Sequence, residues 1–304
     1  MPEFLPVAEE RFTRLGTLPM RSVGALGSGW DGFVRPVREI FAHREMLGLL
    51  VRRDLKARYK DSALGFLWAL ARPLVQLTIY YVVLGHFLGA ARGIPDFAVY
   101  VFAGLTAMGL FQEIAVGGTG SIIANAGLVK KVYMPREVFP LASTGSGLFN
   151  FAVQVVVLFL ATLLVGKPPF GVDFFYAFPA LAVLLVYGLA FALLCSAFNV
   201  YLRDMQYLVE VATLLLFWMS PVVYSWQMVA SIITNPIALE IYTDNPLTLA
   251  VLGFQRAFWV AGEDLPQPDN LLLRLIIALV IGIGLLLVSH RIFLRLQGDF
   301  AQEL

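Results

Sequence analysis

Charge is scarce in this 304-residue sequence, at 14% Asp, Glu, Lys and Arg against 59% hydrophobic residues. Soluble domains carry about 25% charged residues and about 45–50% apolar ones, so the balance argues against a soluble globular enzyme. Cysteine is nearly absent. The single Cys195 excludes an intramolecular disulfide and a cysteine-rich metal site. The three histidines, His43, His86 and His290, have no metal-ligand spacing. A net charge of +1 provides no global field for nucleic acid. A P-loop is missing too: Gly166-Lys167 has Ala161 where the first glycine belongs and Pro168 where Ser or Thr would hold magnesium. No apolar segment holds the paired acids, histidine cluster or Asp-rich motif of an intramembrane hydrolase or prenyl-phosphate glycosyltransferase. A chain of acids for proton coupling is likewise missing.

What is present is a series of long apolar runs. A membrane-crossing helix needs about 20 mainly apolar residues, because only a closed hydrogen-bond pattern survives in hydrocarbon. Six segments qualify, near Leu64–Gly89, Phe97–Gly118, Leu141–Val165, Phe174–Asn199, Met205–Trp226 and Leu271–His290. The expected fold is an all-α polytopic membrane protein with six transmembrane helices. The fifth is interrupted by Glu210 near its start and Ser220-Pro221 near its end.

Residues 1–36 are polar and basic and read as a cytoplasmic tail, with no run suited to a signal peptide. Residues 37–60 change character. Ile40, Leu47, Val51, Leu55 and Tyr59 recur at helical spacing, among Arg44, Arg52, Arg53, Lys56, Arg58 and Lys60. That pattern predicts a basic amphipathic helix in a headgroup layer, or one packed on a soluble partner. With the N-terminus inside, seventeen of the 22 basic residues fall on inner segments. Only Arg92, Lys167 and Arg256 fall outside, while Arg72 and Arg274 lie within spans. The positive-inside rule then puts both termini in the cytoplasm. The outer connections carry seven acids: Asp96, Asp173, Glu240, Asp244, Glu263, Asp264 and Asp269.

Two connections stand out. The inner loop Ser121–Ser143 reads SIIANAGLVKKVYMPREVFPLAS. A short helix there would present Lys130, Lys131, Tyr133 and Arg136, with Met134 and Pro135 between them, to a cytoplasmic partner. The simpler alternative is a positive-inside loop with nothing attached. The outer stretch Gln227–Asn270 is too apolar for a plain loop and too broken to cross. Asn235-Pro236 and Asn245-Pro246 are helix-start signals, and Leu247, Val251, Phe254 and Phe258 share one helical face. Two short re-entrant helices are expected, or else an amphipathic hairpin on the membrane surface.

Polar and aromatic residues within the spans mark candidate path positions. Arg72 in the first span and Glu113 in the second could line a hydrated route, or pair within the bundle. Tyr80, Tyr81, Trp218, Tyr224 and Trp226, with Phe254, Phe258 and Trp259 outside, could stack on sugar rings. They could equally be interfacial anchors or core.

The stretches RRDLKARYKDSALGFLWALARPL (Arg52–Leu74), SIIANAGLVKKVYMPREVFPL (Ser121–Leu141), SPVVYSW (Ser220–Trp226) and NPLTLAVLGFQRAFW (Asn245–Trp259) resemble the membrane subunits of type-2 ABC exporters. Those subunits move polysaccharides across bacterial inner membranes. The resemblance implies a permease without its own ATPase site, assembled as a homodimer with two ATPase subunits. ATP and magnesium would be bound by those partners, and the chain itself would hold no cofactor. It further implies an interface helix over 37–60, a transmembrane domain over 61–290 and a cytoplasmic tail over 291–304. Within the domain, 121–140 corresponds to a coupling loop and 227–262 to outer gate helices. The implied cargo is an undecaprenyl-type lipid-linked polymer of the O-antigen, galactan, teichoic acid or capsule class, passing laterally between the first and fifth spans. Alternatives are a drug or small-molecule export permease, a membrane enzyme acting on polyprenyl-linked sugars, and an ion-coupled transporter.

Overall fold

A computed structural model describes residues 38–59, 67–131 and 134–304 of the chain. The 1–36 tail, Lys60 and Tyr133 lie outside the described residues, as do the side chains of Tyr59 and Arg72. Among the described residues the regular structure is helical, with no strand. In order the helices are α1 (Arg44–Tyr59), α2 (Leu67–Ile79), α3 (Phe97–Ala124), α4 (Ala126–Lys131), α5 (Val138–Leu164) and α6 (Ala177–Tyr201). Then come α7 (Met205–Trp218), α8 (Trp226–Ile232), α9 (Pro236–Thr243), α10 (Pro246–Phe258), α11 (Leu271–Leu296) and α12 (Phe300–Glu303).

Among the described residues four stretches are long and apolar enough to cross a membrane: Phe97–Ala124, Val138–Leu164, Val172–Tyr201 and Leu271–Asp299. Two further apolar helices are shorter, over Pro73–Phe87 and Met205–Trp218. The first of these changes pitch, because α2 runs on as a π-helix over Tyr80–Phe87. Pro73 inside α2 also removes one backbone donor. The second stops where Ser220-Pro221 ends the helical ladder, and residues 219–225 run irregularly to α8. Non-helical backbone at that depth needs protein partners. It has them: the Pro221 carbonyl accepts from Tyr100 Oη at 2.9 Å and Gln255 Nε2 at 2.7 Å.

α3 is the centre of the bundle. Of its most apolar stretch 78% is buried, against 22% for α11. It packs against α5, α6, α7 and α10, while α6 also packs against α11. In hydrocarbon, apolar burial does not drive helix association, so close backbone approach must. Gly118 supplies it, since a Cβ there would sit 2.4 Å from Ala192 Cβ on α6. Hydroxyls on these faces bond back into their own helices, as Thr119 Oγ1 does to Ala115 O at 2.7 Å. Asn199 of α6 donates to Thr119 O at 3.1 Å and ties the two helices together.

The outer segment forms three short helices where two are expected. Asn235 Oδ1 caps α9 by accepting from Ile237 N at 2.9 Å, and Asn245 Oδ1 caps α10 by accepting from Leu247 N at 3.0 Å. α8 starts on Ser225, whose Oγ accepts from Met228 N at 3.3 Å. Only α10 is deeply buried, packed against α3 and α6.

Candidate functional site: the loop block after α3 and the seam of α2 and α7

Hydrogen bonds fix the loop after α3 from its first residue. Asn125 caps α3, its Nδ2 donating to Ser121 O at 2.8 Å, while its Oδ1 accepts from Arg53 Nη2 of α1 at 2.7 Å. Arg53 also holds Asp54 at 2.7 Å. The six-residue α4 then leaves Lys130 and Lys131 exposed at its end, with Val129 turned into the protein. Beyond it Met134 is buried and Pro135 half-buried. Val129 and Met134 join a compact cluster with Leu50, Ile122, Val138, Phe139, Phe293 and Phe300.

Arg136 is drawn in rather than displayed. Its guanidinium carbon lies 5.5 Å from the ring centre of Phe300, which is fully buried against Tyr201 and Phe293. The C-terminal turn and the loop are thus one block. α1 attaches to that block along α5, where Val51 Cγ2 lies 2.8 Å from the position of a Cβ on Gly145. Arg52, Arg53, Lys56 and Arg58 remain on its exposed side.

Glu113 pairs within the bundle. Asn150 Nδ2 of α5 donates to its two carboxylate oxygens at 3.0 and 2.9 Å, and Arg58 Nη1 of α1 lies 3.7 Å away. Farther out, Tyr80 stacks on Phe217 with ring centres 6.1 Å apart, which brings α2 and α7 together. Tyr81 packs edge-on to His86, and half-exposed Trp218 packs edge-on to Phe217. Tyr224 Oη donates to Trp218 O at 2.8 Å, and Trp226 Nε1 donates to Thr243 Oγ1 at 3.0 Å. Burial and the Tyr242 neighbour accompany this turn: the Tyr242 hydroxyl is pushed well above its usual range, burial being the larger cause and the Tyr224 hydrogen bond the next.

The aromatic trio of the outer segment sits in the core. Phe254, Phe258 and Trp259 are at most 5% exposed. Phe254 packs edge-on to Phe151, Phe258 to Phe174 and Trp259 to Tyr100, and Trp259 Nε1 donates to Pro95 O at 2.6 Å. These rings hold α10 in place. None of them faces an open passage within one chain.

Sequence reasoning missed three ties at the outer end. Arg274 at the start of α11 bridges Glu240 and Asp244, with Nη1 2.6 Å from Asp244 Oδ1. Arg256 lies 3.1 Å from Asp173 and over the Tyr176 ring, and Lys167 lies 2.9 Å from Asp96. The excess of outer acids was the available signal, but pairs 30 to 83 residues apart leave no spacing to read. The Arg274 guanidinium holds the Glu240 carboxyl below the usual glutamate range. Among the described residues no group of three or more His, Cys, Asp or Glu side chains is disposed to hold a metal.

This architecture has known relatives. The profile of the ABC-2 type transporter family matches residues 45–259. The O-antigen export system permease protein RfbA of Myxococcus xanthus is 29% identical over 273 residues, which is 89% of this chain and 100% of that protein. The RfbA permease of Klebsiella pneumoniae is 27% identical over 261 residues, 86% of this chain and 95% of that protein. The polysialic acid transport protein KpsM of Escherichia coli is 31% identical over a shorter 119 residues, 38% of this chain and 44% of that protein. With a match running from α1 to the end of α10, the chain belongs to the ABC-2 type transporter membrane family.

Proposed function

We propose that this chain is the permease subunit of an ATP-driven exporter that carries a lipid-linked polysaccharide of the O-antigen or capsule class across the bacterial inner membrane. In the ABC-2 family the permease is a transport subunit and ATP is hydrolysed by a separate protein. The single observation that carries the reading is end-to-end similarity to O-antigen permeases, joined to a rigid loop block on the side opposite the outer helices.

The block suggests how the work is transmitted. A docked ATPase pair that closes on ATP and magnesium pushes on Lys130, Lys131 and the Tyr133–Arg136 segment. That push reaches α3 through Asn125, α5 through Val138 and Phe139, and α11 through Phe293. α1 moves with it, through Arg53 and Val51. Packed elements pass on such displacements as units, because a close-packed core deforms little.

In this reading α2 and α7 are the first and fifth of six spans, both termini are cytoplasmic, and two copies pair through these helices. Their outward faces are apolar: Leu74, Val75 and Ile79 on α2, and Leu208, Val211 and Leu214 on α7. Tyr80, Tyr81, Trp218 and Tyr224 stand beside that seam, and α8 to α10 close its outer end. Arg72 belongs to the same seam by its place in α2.

Co-expression with a candidate partner ATPase subunit tests the proposal. The expected product is a two-plus-two complex that displays polysaccharide at the cell surface. Tyr133→Asp with Arg136→Asp should dissociate or uncouple it. Normal assembly and export by that double variant, or ATP-independent transport by the permease alone, would overturn the reading.

A further inference from the structure

Between α3, α6, α7 and α11 the bundle leaves an open-sided cavity of about 840 Å³. Its deep wall is apolar, made by Phe111, Phe191, Leu216 and Leu285. Tyr187 also lines it, but its hydroxyl already donates to Ala278 O at 3.1 Å. Leu285 belongs to the exposed apolar face of α11, with Ile277, Ile281 and Val288, so the cavity opens on the side that meets lipid. Over its other end lies α9. Ile237, Glu240 and Ile241, with Asp244 just after the helix, follow helical spacing and line the cavity on one face.

Charge gathers at that rim. Arg274, at the start of α11, gives at least four of its five N–H donors to protein oxygens. Nε donates to Asp269 O at 2.9 Å, Nη2 to Glu240 Oε1 at 3.1 Å, and Nη1 to Glu240 and to Asp244 Oδ1, the latter at 2.6 Å. The two carboxylates still outnumber the one guanidinium bound to them. They are 56% and 55% exposed, against 21% for Arg274, so the excess negative charge faces outward. Arg256 and Lys167, cations of neighbouring connections, are tied to Asp173 and Asp96 instead.

We propose that this cavity seats one bilayer phospholipid with a primary-amine headgroup, its acyl chain inside and its ammonium on Glu240 and Asp244. The dimensions fit one leaflet. From Arg274 to Leu285 α11 rises about 16 Å, and a leaflet contributes about 15 Å of hydrocarbon. The rim therefore stands at headgroup depth and Leu285 near the bilayer centre. A hydrocarbon chain fills such a space and water does not, because the deep wall offers water no partner. At the rim an anionic glycerol headgroup is repelled. A choline headgroup has the positive charge but no N–H to donate, whereas an ammonium has both. A lipid seated there joins α9 to α6 and α11. The seat is independent of the export reading, since it requires only that α11 cross a bilayer.

The test needs only the full chain purified in mild detergent, so it stands whether or not an ATPase subunit binds. Native mass spectrometry reads the lipid retained from equal amounts of palmitoyl-oleoyl phosphatidylethanolamine, phosphatidylglycerol and phosphatidylcholine. One phosphatidylethanolamine per chain is expected, favoured over phosphatidylglycerol by about fivefold, the factor one surface charge supplies. It should also be favoured over phosphatidylcholine. Glu240→Gln with Asp244→Asn makes the rim's excess charge positive, and phosphatidylglycerol should then be held best. Leu216→Trp with Leu285→Trp narrows the cavity and should shed the lipid from a chain that still elutes as folded. The inference is overturned if the wild type holds either competitor as well as phosphatidylethanolamine, or if the charge variant keeps the wild-type order. It is likewise overturned if the folded tryptophan variant keeps its lipid, or if no lipid is retained because a second copy covers the mouth. Should the tryptophan variant fail to fold, the charge reversal decides.

Discussion

Replacing Tyr100 by Phe and Gln255 by Leu, singly and together, probes how the chain tolerates a broken helix after Trp218. The Tyr100 hydroxyl lies between two carbonyls, 2.9 Å from Pro221 O and 2.7 Å from Tyr224 O. Gln255 Nε2 donates to Pro221 O as well, at 2.7 Å. In Tyr100→Phe, Pro221 keeps the amide but Tyr224 O loses its donor, which costs about 1–2 kcal/mol. Gln255→Leu removes one bond worth about 1 kcal/mol, and it also removes Oε1, a buried atom without a partner among the described residues. The two effects partly cancel, leaving a net loss of about 0–1 kcal/mol.

The hydroxyl has one proton for two carbonyls, so each single variant orphans one of them and the double variant orphans both. An orphaned buried carbonyl costs about 1–3 kcal/mol, so the double loss should equal the sum of the singles within about 0.5 kcal/mol. Thermal unfolding of the nanodisc-embedded permease–ATPase complex measures this, at about 2–4 °C per kcal/mol for a chain of this order of size. Tyr100→Phe should lower Tm by about 2–8 °C, and Gln255→Leu by less than about 4 °C. A double loss that departs from the sum of the singles by more than about 1 kcal/mol would refute this two-donor, two-carbonyl account of the Ser220–Pro221 break.

Gly118→Leu should abolish assembly, because even a Cβ meets Ala192 at 2.4 Å, while Gly127→Leu, with nothing within 4 Å, should leave Tm unchanged; expression and gel filtration check both. Phe300→Ala removes a fully buried ring beneath Arg136 and should cost about 3–5 kcal/mol, read as a lower Tm with weakened coupling of ATPase activity to export. Glu240 is held below its usual range by Arg274, so their tie is present above the ordinary glutamate range and is lost as pH falls through the lowered value. Hydrogen exchange in α9 should accordingly rise on acidification in the wild type, and be raised and flat with pH in Arg274→Gln. An α9 that exchanges identically in the two proteins would sink that account.

Much of the architecture is local and was therefore legible. Apolar runs of sufficient length mark α3, α5, α6 and α11, and the two Asn-Pro pairs mark the starts of α9 and α10 to the residue. The fifth apolar run reads on to Trp226, but α7 stops at Trp218, just ahead of Ser220-Pro221, since proline cannot continue a hydrogen-bonded ladder. The pitch change at Tyr80 was not legible, because no residue pattern specifies a π-turn.

Partners were not legible, because pairing depends on which faces meet. Glu113 reads identically whether it lines water or binds Asn150 and Arg58, from 37 and 55 positions away. Arg136 looks like a displayed charge until Phe300 is seen folded beneath it. Phe254, Phe258 and Trp259 share the spacing of a binding face, yet α10 turns them into the core. Composition and periodicity by themselves determined a membrane-embedded helical chain with its charge segregated along the sequence, since both are sums over neighbouring residues. The tertiary structure alone decided which polar groups are satisfied inside, because that depends on contacts between helices distant in sequence.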